Sequence, residues 1–345
     1  MNYLKNWFEK KPVIEAIYMY PVKALPGIRV DSVEIVPTGL KFDRTLMFAT
    51  PESVEGYYKF LTQRETPQLA LAKASLLEKD GVTYCEISYP LDYRNPESTT
   101  RKSFLVPLND NLSEDAYPLV NAIIWNDTVR AHNLEEHMDP GMAEAMNLPK
   151  DLTILRAFDT RNVIRMIPDD MKAEPPRSVF VDYFPGNLLT LESLYDVAKN
   201  CIEKGGQDGL PPLPSTEPRD GYTDEYEQWV KRFRPNFVLS GARDVYDEES
   251  WKEIKIDIVD GEPQNWIVVC RNVRCPVPTV NPDLGVFHPK HQPYKAMQSF
   301  RRVDSGAPYQ PCFSMNLVNT TNGYKIPTGS AVQILSRGEH IYEGI

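Results

Sequence analysis

The sequence lacks several features that would point directly to a function. It contains no apolar run of the length that a membrane-spanning helix needs, so we predict no membrane span in this chain. The phosphate-binding pattern G-x-x-x-x-G-K-[ST], the dinucleotide pattern G-x-G-x-x-G and the zinc-protease pattern H-E-x-x-H are all absent. Nucleotide hydrolysis and zincin chemistry therefore have no support in the sequence.

Cysteine and positive charge are also scarce. The five cysteines are an odd number, they are widely spaced and no secretory signal precedes them, so we expect reduced thiols in an intracellular compartment. The formal net charge is -10, which argues against a nucleic-acid or anionic membrane surface. Any basic binding site in this chain must therefore be local.

Length and composition predict a β-rich protein with two domains. A chain of 345 residues exceeds what one hydrophobic core usually fills, and 30 prolines indicate many loops and sheet edges. Alternating apolar and polar residues between Val13 and Thr50 predict short antiparallel strands. We predict a tail over residues 1–12, a first domain over 13–160, a connector over 161–178 and a second domain, with a barrel, over 179–345.

Two helices are predicted in the second domain. The first is indicated by apolar residues at helical spacing between Leu191 and Ile202, with Thr190 as a candidate N-cap and Gly205-Gly206 as the stop. The second covers residues 224–231. Between them, residues 207–221 carry four prolines and form either a flexible lid or an insertion.

The most informative stretch is the run from Arg274 to Gly285, which follows the apolar strand Trp266–Cys270. Its three prolines predict an extended loop that presents the Cys275 thiol, since a residue before proline avoids helical geometry. A thiolate can act as a nucleophile or bind a soft metal, and the preceding arginine favours the deprotonated form. A buried or unreactive free cysteine is the alternative interpretation.

Basic residues recur at the predicted strand ends. They are Lys23, Arg44, Arg274, the segment Arg232-Phe233-Arg234-Pro235-Asn236 and the segment Phe300-Arg301-Arg302. In the first of the two segments, the proline after Arg234 fixes the backbone, so that its guanidinium offers a rigid clamp for an anion. Each residue alone is compatible with a solvated surface charge. Together, in an acidic protein, they predict a site for an anionic small molecule.

Seven short motifs follow one another along most of the chain. They are Tyr20-Pro21-Val22-Lys23, Gly39-Leu40 with Asp43-Arg44, Thr62-Gln63-Arg64-Glu65, Phe233-Arg234-Pro235-Asn236 with Ser240-Gly241, Arg274-Cys275, Thr279-Val280-Asn281-Pro282-Asp283-Leu284-Gly285 and Phe313-Ser314-Met315-Asn316-Leu317. In this combination and order they resemble the MOSC family, the molybdenum cofactor sulfurase C-terminal domain proteins, preceded by that family's N-terminal β-barrel domain. Within the family, they are similar to the mitochondrial amidoxime reducing component and its bacterial relatives.

The resemblance implies a mixed α/β, β-rich fold, in which a MOSC β-barrel domain follows a smaller N-terminal β-rich domain. It also implies a molybdopterin-type molybdenum cofactor, with Cys275 as the catalytic residue and as the thiolate ligand of molybdenum. Family positions that contact the cofactor are matched by Lys23, Arg44, Asp182, Arg234, Asn236, Arg274 and Asn316. Of these residues, Arg44 and Arg234 are expected to bind the phosphate.

Three places depart from the family pattern. Ala24 stands where serine or threonine is usual, Pro276-Val277-Pro278 replaces more open residues, and Ser314 stands where glycine is usual. We expect these departures to affect the choice of substrate more than the binding of the cofactor.

The implied reaction is the two-electron reduction of N-hydroxylated compounds such as amidoximes, N-hydroxyguanidines and hydroxylamines. The sequence has no flavin, haem or iron–sulfur motif, so the resemblance implies a separate electron carrier. In animal relatives that carrier is cytochrome b5 with its reductase, whereas bacterial relatives use an iron–sulfur partner. We expect a cytoplasmic or mitochondria-associated protein.

Two other functions remain open from the sequence. The first is a non-redox protein that carries the cofactor or a sulfur atom, with Cys275 as a persulfide site. No recognisable pyridoxal-binding domain is present to generate sulfur, which counts against pyridoxal phosphate binding and against this function. The second is an interaction protein that has lost the cofactor, for which Ala24 and the proline-rich cysteine loop are the only support.

Overall fold

The computed structural model describes residues 11–109 and 112–344, and these residues form a β-rich fold, as predicted. Most of the predicted N-terminal tail lies outside the described residues. The α-helices are α1 (Met142–Ala145), α2 (Leu191–Gly205), α3 (Asp224–Phe233) and α4 (Tyr294–Phe300). No helix among the described residues combines the length and the apolar composition that a membrane crossing requires.

The strands are numbered in chain order. They are β1 (Val13–Met19), β2 (Val22–Lys23), β3 (Ile28–Val30), β4 (Ser32–Val36), β5 (Gly39–Leu40), β6 (Leu46–Pro51), β7 (Tyr57–Phe60), β8 (Lys73–Lys79), β9 (Val82–Pro90), β10 (Arg101–Pro107), β11 (Leu119–Ile124), β12 (Asp127–Asn133), β13 (Thr153–Ala157), β14 (Arg161–Asn162), β15 (Arg177–Ser178), β16 (Gly186–Thr190), β17 (Phe237–Ser240), β18 (Trp251–Ile256), β19 (Gln264–Val273), β20 (Val280–Asn281), β21 (Val286–Phe287), β22 (Cys312–Asn319), β23 (Tyr324–Pro327) and β24 (Val332–Arg337).

Five strands in the first half of the chain close into a small barrel. Their order is β6, β7, β11, β12 and β13, and β13 pairs back onto β6. Neighbours run antiparallel except β7 and β11, which are parallel. One buried apolar cluster takes residues from all five strands, so that each strand is fixed by packing as well as by hydrogen bonds. The barrel presents the end of β7 and the turn between β11 and β12 to the candidate site.

An eight-stranded sheet joins the start of the chain to its second half. Its order is β24, β18, β19, β22, β16, β17, β1 and β3. The sheet curls so that β24, at one edge, approaches β1 near the other edge. Two hydrogen bonds join these ends, from the Ile14 amide to the Ser330 carbonyl at 3.0 Å and from the Val332 amide to the Pro12 carbonyl at 2.7 Å. Strand β1 thus lies in one sheet with strands of the predicted second domain. The division of the chain at residues 161–178 stays a prediction.

Helices α2, α3 and α4 cover one face of this sheet. Helix α2 begins as predicted, because the Thr190 hydroxyl accepts a hydrogen bond from the Ser193 amide at 3.3 Å. It ends at Gly205, and the C-cap residue Gly206 has a φ of 85°, in the region that glycine adopts without strain. Its inner face shares one buried cluster with apolar residues of β1, β16 and β17. This layer holds the C-terminal end of α3 beside the candidate site.

The prediction of an extended loop after Cys275 is wrong. Val277–Thr279 form a short 3-10 helix, and Pro276 before it has φ -66° and ψ -6°. Proline fits the first turn of a helix, because its fixed φ is suitable there and its missing N–H would have no partner. The Thr279 amide and hydroxyl both donate to the Pro276 carbonyl, at 2.8 and 2.6 Å, and so close the turn.

The segment 207–221 is tied to its surroundings. Leu210 is buried in the cluster under α2 and α3. The Trp229 indole donates to the Pro212 carbonyl and the Tyr226 hydroxyl to the Thr216 carbonyl, both at 2.9 Å. These contacts favour an insertion over a flexible lid.

Candidate functional site

A cavity of about 460 Å³ lies where the barrel meets the curled sheet. Its walls come from the ends of β2, β7 and β19, from the turn after β11, from the C-terminal end of α3 and from β16 and β22. The structure brings all eight residues of the predicted site to this cavity, which are Lys23, Arg44, Asp182, Arg234, Asn236, Arg274, Cys275 and Asn316. Their contacts divide them into residues that face the cavity and residues that position others.

Cys275 lies just beyond the end of β19 and is partly exposed, whereas Cys85, Cys201, Cys270 and Cys312 are buried. Burial raises the pKa of Cys270 and of Cys312 to about 12, so those thiols stay protonated at neutral pH. Of the five cysteines, Cys275 is the one that a ligand in the cavity can reach.

Two arginines stack on one aromatic ring at the cavity wall. The guanidinium carbon of Arg44 lies 4.1 Å from the centroid of the Tyr20 ring, and that of Arg234 lies 4.6 Å from it. The Tyr20 hydroxyl donates to the Pro235 carbonyl at 2.9 Å. Gly27 allows the ring its place, because a Cβ there would lie 2.5 Å from a ring carbon. The Tyr20 ring therefore contacts both cations.

The backbone of both arginines is in the left-handed region, with φ 50° at Arg44 and 57° at Arg234. Arg234 is the C-cap of α3, so the end of the helix and Pro235 fix its direction. Burial lowers the pKa of Arg234 to about 10, which still leaves it charged at neutral pH. The cost of burying this charge falls if an anion binds beside it.

Asn236 positions Arg44. Its amide nitrogen donates to the Tyr18 carbonyl at 3.1 Å and to Asp43 Oδ1 at 3.2 Å. Its Oδ1 accepts from the Arg44 guanidinium at 3.4 Å. The amide is buried and its groups are engaged within the protein. A direct contact between Asn236 and the cofactor stays a prediction.

Lys23 and Asp182 form an ion pair at the cavity. Their Nζ and Oδ1 atoms are 2.5 Å apart, and the Trp125 indole also donates to Asp182 Oδ1 at 3.2 Å. Desolvation by the surrounding walls raises the pKa of Asp182, but the Lys23 ammonium outweighs it and leaves that pKa well below its ordinary value. The Asp182 side chain keeps 72% of its surface exposed, so the carboxylate is both ionised and accessible.

Arg274 holds the wall behind Cys275. Its Nε and Nη1 donate to the carbonyls of Phe313 and Phe233, at 2.9 and 2.8 Å, and its Nη2 donates to the Ser314 hydroxyl at 2.5 Å. Ser314 has φ 70°, a backbone conformation that favours glycine. Its hydroxyl accepts the hydrogen bond from Arg274, which glycine could not do. Arg274 thus positions the strand end that carries Cys275.

Sequence reasoning missed Asn187, which lines the cavity from β16. Its amide nitrogen donates to the Met315 carbonyl at 3.1 Å and to Asn316 Oδ1 at 3.2 Å. Its own Oδ1 is buried and has no hydrogen-bond partner among the described residues. An amide directly before the apolar pair Leu188-Leu189 was the available signal, since a buried polar group requires a partner.

Arg64 and Trp125 were also missed as site residues. The guanidinium carbon of Arg64 lies 4.3 Å from the centroid of the Trp125 ring, and the Phe60 ring packs edge-on against Trp125. All three line the cavity from the barrel. Arg64 lies in a motif that carries the family resemblance, but Trp125 lies in a turn and gives no signal of its own.

The prediction that Phe300-Arg301-Arg302 contributes cations to the anion site is wrong. Arg301 stacks on Tyr246, pairs with Glu249 and donates to the Cys312 carbonyl at 2.9 Å. Its partner Glu249 lies 52 residues away in sequence, and a local pattern cannot reveal such a contact.

The donors of the cavity fit an anionic ligand that carries a soft metal. The partly exposed Cys275 thiol is a soft ligand, and Arg44, Arg234 and Lys23 supply positive charge in the same cavity. The buried Oδ1 of Asn187 can accept one further hydrogen bond. Among the described residues no group of three or more His, Cys, Asp or Glu side chains could hold a bare metal ion. One thiolate is too few ligands for an ion, so a metal here needs a cofactor with ligands of its own.

Comparisons with known proteins agree with the predicted resemblance. Residues 11–132 match the MOSC N-terminal beta barrel domain, and residues 216–338 match the MOSC domain. The chain is 35% identical to human mitochondrial amidoxime reducing component 2 over 297 residues, which cover 84% of this chain and 73% of that protein. It is 27% identical to human mitochondrial amidoxime-reducing component 1 over 301 residues, which cover 84% of this chain and 72% of that protein.

A third similarity concerns a longer protein. The chain is 23% identical to the molybdenum cofactor sulfurase of Oryza sativa subsp. japonica over 292 residues, which cover 84% of this chain and 31% of that sulfurase. The similarity therefore lies in about a third of the sulfurase.

Proposed function

The chain belongs to the family of MOSC-domain proteins that includes the mitochondrial amidoxime reducing components, and on that premise we propose that it is a molybdenum-cofactor oxidoreductase. We propose N-hydroxylated compounds such as amidoximes and hydroxylamines as its substrates. The single observation that carries the proposal is the partly exposed Cys275 thiol, which shares one cavity with two stacked arginines and an ionised carboxylate.

Different residues of the cavity would bind different parts of the cofactor. Cys275 would supply the thiolate ligand of molybdenum, and the guanidinium groups of Arg44 and Arg234 would bind the phosphate. Lys23, Asn316 and Asn187 would offer hydrogen bonds around the pterin. When bound, the cofactor supplies the two-electron redox chemistry that no side chain of the protein can provide.

The overall reaction takes up two electrons and two protons. The N–O bond of the substrate breaks, a new N–H bond forms, and the oxygen leaves as water. Asp182 is ionised and exposed to the cavity, so it can accept a hydrogen bond from the N–H of an amidoxime and orient the substrate. The Phe60 and Trp125 rings give the barrel side of the cavity an apolar surface.

Electrons would come from a separate carrier, and we propose cytochrome b5 with its reductase. An intracellular protein, cytoplasmic or associated with mitochondria, is consistent with such a partner and with the mitochondrial names of the relatives.

The test combines metal analysis with turnover. Purified protein from a host that makes the cofactor is analysed for molybdenum by mass spectrometry, and benzamidoxime reduction is followed with a dithionite-reduced dye as donor. The proposal predicts about one molybdenum per chain together with formation of benzamidine. Metal without turnover would favour a carrier of the cofactor or of sulfur, and absence of metal would overturn the assignment of the cavity.

A further inference from the structure

The segment that follows β24 forms part of the cavity wall. Residues 339–344 lie beyond the residues 216–338 that match the MOSC domain. Within this segment, Tyr342 is half-buried and lines the cavity together with Cys275. A side chain outside the shared domain therefore borders the space that a substrate must enter.

His340 anchors the segment to the sheet. It is 4% exposed, and its two ring nitrogens lie 2.9 Å from the Val269 carbonyl oxygen and 2.7 Å from the Trp251 carbonyl oxygen. The Arg271 guanidinium donates to the His340 carbonyl at 2.7 Å. These contacts tie the segment to β18 and to β19, the strand that leads to Cys275.

The backbone of Tyr342 is a second anchor. Its amide donates to Asp304 Oδ1 at 2.9 Å. Gly306 packs against it so closely that a Cβ at Gly306 would overlap the Tyr342 carbonyl oxygen. Anchored on both sides of Ile341, the segment is a fixed wall and not a lid.

The Tyr342 side chain is held by packing as well. It lies against a buried apolar cluster that includes Tyr183 and Phe184, and these two residues also line the cavity. Close-packed side chains do not yield to an incoming group without a cost in free energy. The Tyr342 ring therefore limits the volume of the cavity that Cys275 also lines.

We propose that Tyr342 determines specificity by setting the upper size limit of the substrate. This inference rests on the proposed function, because it requires that the substrate shares the cavity with Cys275. Compact N-hydroxylated compounds fit beside the ring, whereas bulky ones meet a wall that cannot move. A fixed wall distinguishes two substrates by a repulsive contact. The contact weakens binding of the larger substrate and does not affect the smaller one.

The test compares Tyr342→Ala with Tyr342→Phe on benzamidoxime and on a biphenyl amidoxime, with a dithionite-reduced dye as donor. Removal of the ring should raise the ratio of kcat/KM for the biphenyl substrate over benzamidoxime about tenfold, and phenylalanine should keep the original ratio. A gain on one substrate cannot come from partial unfolding. Molybdenum content, measured on the same samples, should stay unchanged.

Gly306→Ala should displace the Tyr342 backbone and change the same ratio. The matched control is Ile341→Ala, because that side chain is 61% exposed and does not line the cavity. Fluorescence titration with benzamidine and biphenyl amidine gives the same comparison without turnover, and Tyr342→Ala should tighten binding of the larger amidine about tenfold relative to the smaller.

An unchanged ratio in Tyr342→Ala, with molybdenum and benzamidoxime turnover intact, would overturn the role of Tyr342 and leave the proposed function standing. Absence of turnover by the unaltered protein on both substrates would overturn the two proposals together.

Discussion

Two arginine clusters in this protein use the same residue types and differ in what balances their charge. In the paired cluster, Arg271 and Arg301 meet Glu249 and Asp304. Arg271 lies 2.8 Å from a Glu249 oxygen and 3.1 Å from an Asp304 oxygen, and Arg301 also contacts Glu249. Two positive groups thus face two negative groups, and the cluster is complete within the protein.

In the open cluster, Arg44 and Arg234 share the Tyr20 ring. Asp43 pairs with Arg44 at 2.5 Å, but no carboxylate of the described residues pairs with Arg234. Two positive groups thus face one negative group beside a cavity. The comparison teaches that burial of arginine does not mark a binding site, whereas an unbalanced arginine that lines a cavity does.

The largest effect is expected at Cys275, the thiol that shares the cavity with the open cluster. Cys275→Ala should reduce molybdenum content to background, because the cofactor loses its ligand from the protein, while the unfolding free energy changes by less than about 1 kcal/mol. The measurements are metal analysis and urea unfolding. Cys85→Ala, which alters a buried cysteine away from the cavity, is the control and should keep its molybdenum. Full molybdenum occupancy in Cys275→Ala would refute the ligand assignment.

The second-largest effect is expected on protein stability, when an arginine of the paired cluster is replaced. Arg301→Met should lower the unfolding free energy by about 3 kcal/mol, because Glu249, whose side chain is only 11% exposed, then keeps only Arg271 to offset its charge. Urea unfolding measures the loss. Molybdenum content per folded chain should not change, since Arg301 does not line the cavity. An unfolding free energy equal to that of the original protein would mean that the ion pair of Arg301 and Glu249 does not stabilise the fold.

The matched substitution in the open cluster should have the opposite profile. Arg234→Met should lower cofactor occupancy about tenfold, because it removes a charge-assisted contact to the phosphate. The unfolding free energy of the cofactor-free protein should fall by less than about 1 kcal/mol, since no buried carboxylate is left unpaired. Metal analysis and urea unfolding are performed on Arg234→Met and Arg301→Met in parallel, and they compare the cofactor occupancy and the stability of the two variants. Large destabilisation with normal occupancy would reverse the roles assigned to the two clusters.

The smallest effect concerns the ion pair of Lys23 and Asp182, in which the lysine is buried and the carboxylate is exposed. The pKa of Asp182 is lower in the folded protein than its ordinary value of 3.8. The pair therefore contributes its full stabilisation of the fold at pH values above 3.8. Its contribution is lost as the pH falls through the folded-state pKa. At pH 7, Asp182→Asn should be less stable by about 1 kcal/mol, as expected for a solvent-screened pair, and the difference should shrink in acid.

Urea unfolding of both proteins at pH 7 and at pH 3 tests this expectation. If the difference between the two proteins is as large at pH 3 as at pH 7, the ionised carboxylate is not its source.

The sequence was sufficient for elements whose signals are local. The apolar spacing from Leu191 onward and the N-cap at Thr190 predicted α2, because both act within a few residues. The same reasoning failed after Cys275. The rule for residues that precede proline is a preference, and the 3-10 turn at Pro276 is compatible with the φ that proline imposes.

The candidate site depended on contacts between distant segments. In sequence, Arg234 and Arg301 look alike, since each follows a phenylalanine and has a second arginine within two residues. Their difference arises from Glu249, which lies 52 residues before Arg301, and no local pattern reports such a contact. The motif resemblance gathered the eight predicted residues, and the structure places them around one cavity. Tyr342 carried no signal in sequence, because its role arises from where its backbone is anchored.

The pairing of β1 with β17 has a consequence for the order of events during synthesis. Asn236, which positions Arg44, also bonds to Tyr18, a residue 218 positions earlier in the chain. A growing chain therefore carries Tyr20 and Arg44 long before the ribosome has added the residues that orient them. The open cluster can form only after α3 and β17 have emerged, so the proposed anion site is complete only late in translation or after release.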